Sequence, residues 1–91
     1  MRGYTMHKDD YQRRLSRIEG QVRGLSRMIE EDKYCIDVLT QIASVSKALQ
    51  GVGLGLLDEH LRHCVREAEA RGEGEDKIGE AIRAVERLLR V

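Results

Sequence analysis

The stretch Leu15-Ser16-Arg17-Ile18-Glu19-Gly20-Gln21-Val22-Arg23-Gly24-Leu25-Ser26-Arg27-Met28-Ile29 sets Leu15, Ile18, Val22, Leu25 and Ile29 in steps of three, four, three and four. That rhythm gives a helix one narrow apolar seam, the kind that packs against an antiparallel neighbour. A helix is predicted from a cap at Asp9 or Asp10 to about Asp32. At roughly 100° per residue the seam centres on Val22, and Arg13, Arg17 and Arg27 fall on the far side with Gly20 and Gly24 between them. The arginines then face away from the core. Two glycines inside a helix cost roughly 1 kcal/mol each, so their retention points to close approach of another backbone, a packed helix before a phosphate chain.

Outward from this stretch the same period recurs. A second helix is predicted from Tyr34–Asp37 to Ala70, with Leu39, Ile42, Val45, Leu49, Val52 and Leu56 on one stripe. Gly51, Gly53 and Gly55 weaken it, but neither proline nor a polar loop cluster accompanies them, so continuity is expected. Arg71-Gly72-Glu73-Gly74 is a helix stop with Gly72 suited to a left-handed terminating conformation. A third helix follows from about Glu75 to Leu89, carrying Ile78, Ile82, Val85 and Leu89. The expected organisation is a flexible lead-in over residues 1–8 and a single helical domain over 9–91.

With 91 residues, no proline, tryptophan or phenylalanine, and 35% of positions charged, one copy can build only a thin core. Self-association is the usual remedy. No apolar run approaches the roughly 20 residues of a membrane span, and the polar start has no signal-peptide core, so a soluble cytoplasmic protein without membrane contact is expected. Two cysteines there are thiols, ligands or redox groups rather than a bridge. The neutral total hides an asymmetry: residues 1–28 hold seven Lys or Arg against three Asp or Glu, and residues 29–91 hold nine against thirteen. A basic first helix suits a polyanion, although a solvated helix face has the same composition.

Cys35, His60 and Cys64 form the pattern C-x24-H-x3-C. On a helix, His60 and Cys64 lie about 40° apart and project side by side. Two thiolates and an imidazole make a soft, three-coordinate set that suits Cu(I) best and takes Zn(II) if a fourth ligand is found. Against this stands the ordinary reading of isolated cysteines as small buried hydrophobes and of helix histidines as surface residues. If the second helix is continuous, 25 rises separate Cys35 from His60 by about 37 Å, and the two cannot meet within one chain. Two copies packed antiparallel would place Cys35 of one beside His60 and Cys64 of the other, twice per dimer. His63 is a possible extra ligand, and His7 lies in the lead-in.

The segment from Arg14 to Gly24, Arg-Leu-Ser-Arg-Ile-Glu-Gly-Gln-Val-Arg-Gly, resembles the first-helix signature of the CsoR/RcnR family of bacterial metal- and small-molecule-responsive repressors. Tyr34-Cys35 with His60 and Cys64 is similar to the ligand frame of its Cu(I)-sensing branch, and the resemblance runs from residue 8 to about 90. It implies an all-α fold with a three-helix protomer, an antiparallel four-helix-bundle dimer and a dimer-of-dimers homotetramer. It further implies that the apo form binds GC-rich, pseudo-palindromic operator DNA and that Cu(I) releases it, derepressing copper efflux or resistance genes. Tyr34 and Glu80 would surround the ligand histidine, and Arg14, with Arg13 and Arg17 beside it, would serve DNA. Nickel and cobalt sensors of the family recruit an N-terminal histidine where Gly3 stands here, and His7 is out of register with it. Gly51 occupies a position that is basic in some relatives.

Alternatives on the same scaffold are a persulfide or thiol sensor, in which Cys35 and Cys64 of two chains are bridged, and a Ni, Co or Zn sensor. A metal buffer that never touches DNA is a third. No acid–base pair, activated nucleophile or phosphate-cradling loop is present, so no enzyme is expected.

Overall fold

The computed structural model describes residues 4–89, and every regular element among them is helical. Three helical rods are present, as the apolar period requires. A 3-10 turn, Thr5–His7, leads into α1, Lys8–Glu30. The second rod is α2, Cys35–Glu59, a π-helical turn, His60–Cys64, and α3, Val65–Ala70, with no break between them. The third is α4, Gly74–Leu89. Residues 1–3 of the predicted lead-in lie outside the described residues, as does the Gly3 position.

Local chemistry sets the boundaries. Asp9 and Asp10 do not cap α1 from outside; they sit in its first turn, where carboxylates meet the positive end of the helix dipole. At the far end Asp32 takes φ 55°, and Lys33 N–H donates to Met28 O at 3.0 Å while Asp32 N–H donates to Ile29 O at 3.1 Å. These two bonds satisfy carbonyls the helix leaves open. The turn before α4 repeats the device, with Gly72 at φ 77° and Glu73 N–H on Ala68 O at 2.6 Å. An L-residue at Gly72 would cost roughly 1–2 kcal/mol for the left-handed backbone. The glycines of α2 leave the helix continuous, as expected without a proline or a polar cluster.

Two compact units are distinguished, Asp9–Val52 and Gly53–Val91 together with the segment up to Lys8. In the first, Ile18 of α1 and Val38, Val45 and Val52 of α2 are buried, and the valines stand seven residues apart. In the second, Val65, Ala68 and Ala81 are buried, and Leu88 closes on the bare Cα of Gly53, where a Cβ would lie 3.0 Å from Leu88 Cδ1.

Burial corrects the single stripe expected for each helix. On α1 only Ile18 of the predicted seam is buried, while Leu15, Val22 and Ile29 are exposed. On α2 the stripe splits: Val45 and Val52 turn inward, and Leu39, Ile42 and Leu49 stay exposed, Leu39 by 55%. On α4 the inward position is Ala81, and Ile78, Ile82 and Leu89 face out. Each helix is therefore apolar over more of its circumference than one protomer covers. The expected tight helix contact at Gly20 and Gly24 is also absent among the described residues, since no atom of a neighbouring helix lies within 4 Å of a Cβ built on either.

Candidate metal centre

Cys35 is the first residue of α2, with its thiol exposed, and Tyr34 beside it is exposed as well. His60 and Cys64 open and close the π turn, and both are half-buried. Val65 N–H donates to His60 O, an i to i+5 bond that widens the turn. In a wider turn residues four apart still share a face. Both side chains accordingly line one groove of about 710 Å³, together with Tyr4, Lys77 and Glu80. His63 is half-buried and does not line that groove.

Glu80 reaches the groove from α4, with Lys77 Nζ 3.2 Å from its carboxylate. The hydrogen bond from Lys77, then its charge, holds the Glu80 carboxyl below the usual carboxylate range, with smaller help from His60 and Arg83 against desolvation. An ionised carboxylate near an imidazole is an acceptor for a ring N–H. The groove thus joins two of the three expected ligands to one of the two residues expected around the histidine.

Cys35 is not brought to them within a chain. Helix runs through every residue from Cys35 to Ala70, and among the described residues no three His, Cys, Asp or Glu side chains converge to hold a metal ion. The donors present fit a soft cation: two thiols that form no disulfide, and an imidazole.

The first helix departs from expectation at one arginine. Arg13, paired with Asp10 at 3.7 Å, and Arg17 are exposed. Arg14 is half-buried: its guanidinium carbon is 5.9 Å from the Tyr11 ring centroid, and its Nη2 is 3.2 Å from where a Gly51 Cβ would stand. Its charge is folded over α2 instead of pointing away from the seam. The bare backbone at Gly51 makes the room.

Reading the chain alone missed the π turn and a partnership between His7 and Glu59. His7 Nδ1 is hydrogen-bonded to Glu59 Oε1, and Glu59 is buried. A signal for Glu59 was available, because it continues the seven-residue spacing of Val38, Val45 and Val52. Nothing in the residue pattern marks the π turn.

An all-helical chain with two thiols and an imidazole on one long rod, behind a basic first helix, has the make-up of a helical metal regulator. The description of metal-sensitive transcriptional repressors matches residues 7–89. Over 90 residues the chain is 63% identical to the copper-sensing transcriptional repressor RicR of Mycobacterium tuberculosis (strain ATCC 25618 / H37Rv), covering 97% of this chain and 94% of that one. It is 47% identical over 78 residues to the copper-sensing transcriptional repressor CsoR of Bacillus subtilis (strain 168), covering 86% and 77%. In three dimensions it is similar to the copper-sensing repressor CsoR with Cu(I) from Geobacillus thermodenitrificans NG80-2, with a TM-score of 0.87, 40% identity, and 93% and 88% coverage. It is also similar to the nickel-responsive transcriptional regulator InrS, with a TM-score of 0.76, 40% identity, and 89% and 91% coverage. The chain belongs to the metal-sensitive transcriptional repressor family. That family consists of regulators, not enzymes.

Proposed function

We propose that this protein is a copper(I)-responsive transcriptional repressor that binds operator DNA in the apo form and releases it on metal binding, derepressing copper efflux or resistance genes. The observation that carries the reading is the donor set: the Cys35 thiol on one end of a continuous rod, and His60 and Cys64 on one face at the other. The copper-sensing relatives support the choice of metal. No helix among the described residues is long and apolar enough to cross a membrane. A repressor acts where its DNA is, which places this one in the cytoplasm.

Cys35 of one protomer with His60 and Cys64 of its partner would hold Cu(I), which favours soft donors in low coordination. The exposed apolar faces of α1 and α2 give the second copy its seat, in an antiparallel dimer that pairs again to a homotetramer. When bound, the metal supplies a cross-link between two helix ends. Glu80, kept ionised by Lys77, accepts the proton on the free nitrogen of His60, and Tyr34 beside Cys35 serves the same imidazole across the dimer. The position of α4 is thereby tied to the ligand histidine. On a GC-rich, pseudo-palindromic operator, Arg13, Arg14 and Arg17 contact phosphates, with Arg14 reaching from its seat over Gly51.

Operator affinity measured anaerobically under reducing conditions tests the reading. Cu(I) at one equivalent per protomer should weaken binding by roughly 5- to 150-fold, the span of ordinary allosteric couplings. Equal weakening on adding Ni(II), Co(II) or Zn(II), or weakening only with polysulfide, would assign the same scaffold to another signal. No affinity for any duplex would leave a metal buffer.

The arginines carry a separate expectation. Arg13→Ala, Arg14→Ala and Arg17→Ala should each make the slope of log affinity against log salt shallower by roughly one unit for every phosphate the variant no longer neutralises, and should weaken binding to a similar extent across sequences. Unchanged slopes in all three would move the DNA surface off α1.

A further inference from the structure

We infer that His7 and Glu59 form a latch that holds the segment Tyr4–His7 over the rim of the groove presenting His60 and Cys64, so that this segment governs how fast the groove exchanges its metal. The inference rests on the Cu(I) reading above, and the latch itself does not.

Glu59 is the last residue of α2, directly before the π turn that carries the ligands. It is the buried charged residue among those described, 8% exposed, and its Oε2 is buried without a hydrogen-bond partner among the described residues. A carboxylate removed from water needs a strong partner, and Oε1 finds one in His7 Nδ1. His7 itself is largely exposed and closes the 3-10 turn, donating its backbone N–H to Tyr4 O at 2.9 Å. Tyr4 in turn lines the same groove as His60 and Cys64. The N-terminal segment is therefore fastened at one end to the residue preceding a ligand and laid at the other against the cavity the ligand faces.

A metal ion or a competing chelator entering the groove meets Tyr4, so the segment acts as a strap. Because its anchor is the first residue before the π turn, releasing it frees the helix end that aims His60. His7 is thus a positioning residue with no contact to the metal.

The test uses the full chain with His7→Ala and His7→Asn, the latter restoring a donor near the Nδ1 position. In apo protein, amide exchange at His7 and Lys8 should be about tenfold faster in His7→Ala and near the parental rate in His7→Asn, the least that one hydrogen bond to a charged group confers. In Cu(I)-loaded protein, transfer to a chromophoric chelator should accelerate by a similar factor in His7→Ala, at unchanged stoichiometry, and return in His7→Asn. Parental exchange rates in His7→Ala would overturn the latch. Faster exchange with parental Cu(I) transfer would overturn the strap. A parent that takes up no Cu(I) defeats the copper reading alone, because the apo measurement still decides the latch.

Discussion

Mixing Cys35→Ala chains with chains carrying both His60→Ala and Cys64→Ala should rebuild Cu(I) binding that neither population has alone. Each heterodimer should regain one site, because Cys35 of one chain then faces His60 and Cys64 of the other while the second site has none of its donors. Random exchange makes about half of the dimers hetero, so loading should reach roughly a quarter of the parental level. The expectation stems from the unbroken helix between Cys35 and Ala70 and from the absence, among the described residues, of any three-donor cluster within a chain. Dimers that exchange chains yet stay free of Cu(I) would show that the site is not shared between subunits.

The second large effect concerns the apolar face left open on α2. Leu39, Ile42 and Leu49 are exposed in the protomer, as are Leu15, Val22 and Ile29 on α1. Burying one such side chain is worth roughly 1.5–3 kcal/mol, so together they outweigh what a small domain has in reserve. Ile42→Glu places a charge in the middle of that face and should reduce the sedimenting mass to that of a protomer. Cu(I) binding should disappear with it, although every ligand is retained, and so should operator binding. Helicity should fall with protein concentration, since folding and association are coupled in such small chains. If Ile42→Glu keeps the parental mass and Cu(I) stoichiometry, the dimer is built on another surface.

These two experiments bracket the limits of reading the chain alone. The rods, the stop at Gly72 and the shared face of His60 and Cys64 were legible because each depends on neighbours in sequence. The three-four spacing of Leu15 to Ile29 defines a helix, Gly72 a left-handed stop, and the i, i+4 placement of His60 and Cys64 a shared face. Continuity through Gly51, Gly53 and Gly55 was legible for the same reason, no proline interrupting the ladder. Length and composition also told that one copy builds only a thin core.

Which part of that surface turns inward was decided only by packing. Val38, Val45 and Val52 were chosen over Leu39, Ile42 and Leu49 because a seven-residue row of β-branched side chains meets its neighbour along one line. Residue spacing ranks faces by polarity and cannot rank two apolar faces against each other. Arg14 illustrates the same limit: a helical wheel sets it on the flank of the seam, about 80° from Val22, and only packing shows that its long aliphatic stem bends to a seat made by the bare backbone at Gly51 and the Tyr11 ring. The pairing of His7 with Glu59 joins residues 52 positions apart, a separation that no local period reports. Sequence by itself determined the helices, the glycine stop before the last of them and the shared face of His60 and Cys64, all properties of short-range geometry. Tertiary structure decided the inward face, the direction of Arg14 and the company of Glu59, because those depend on which surfaces meet once the rods are packed.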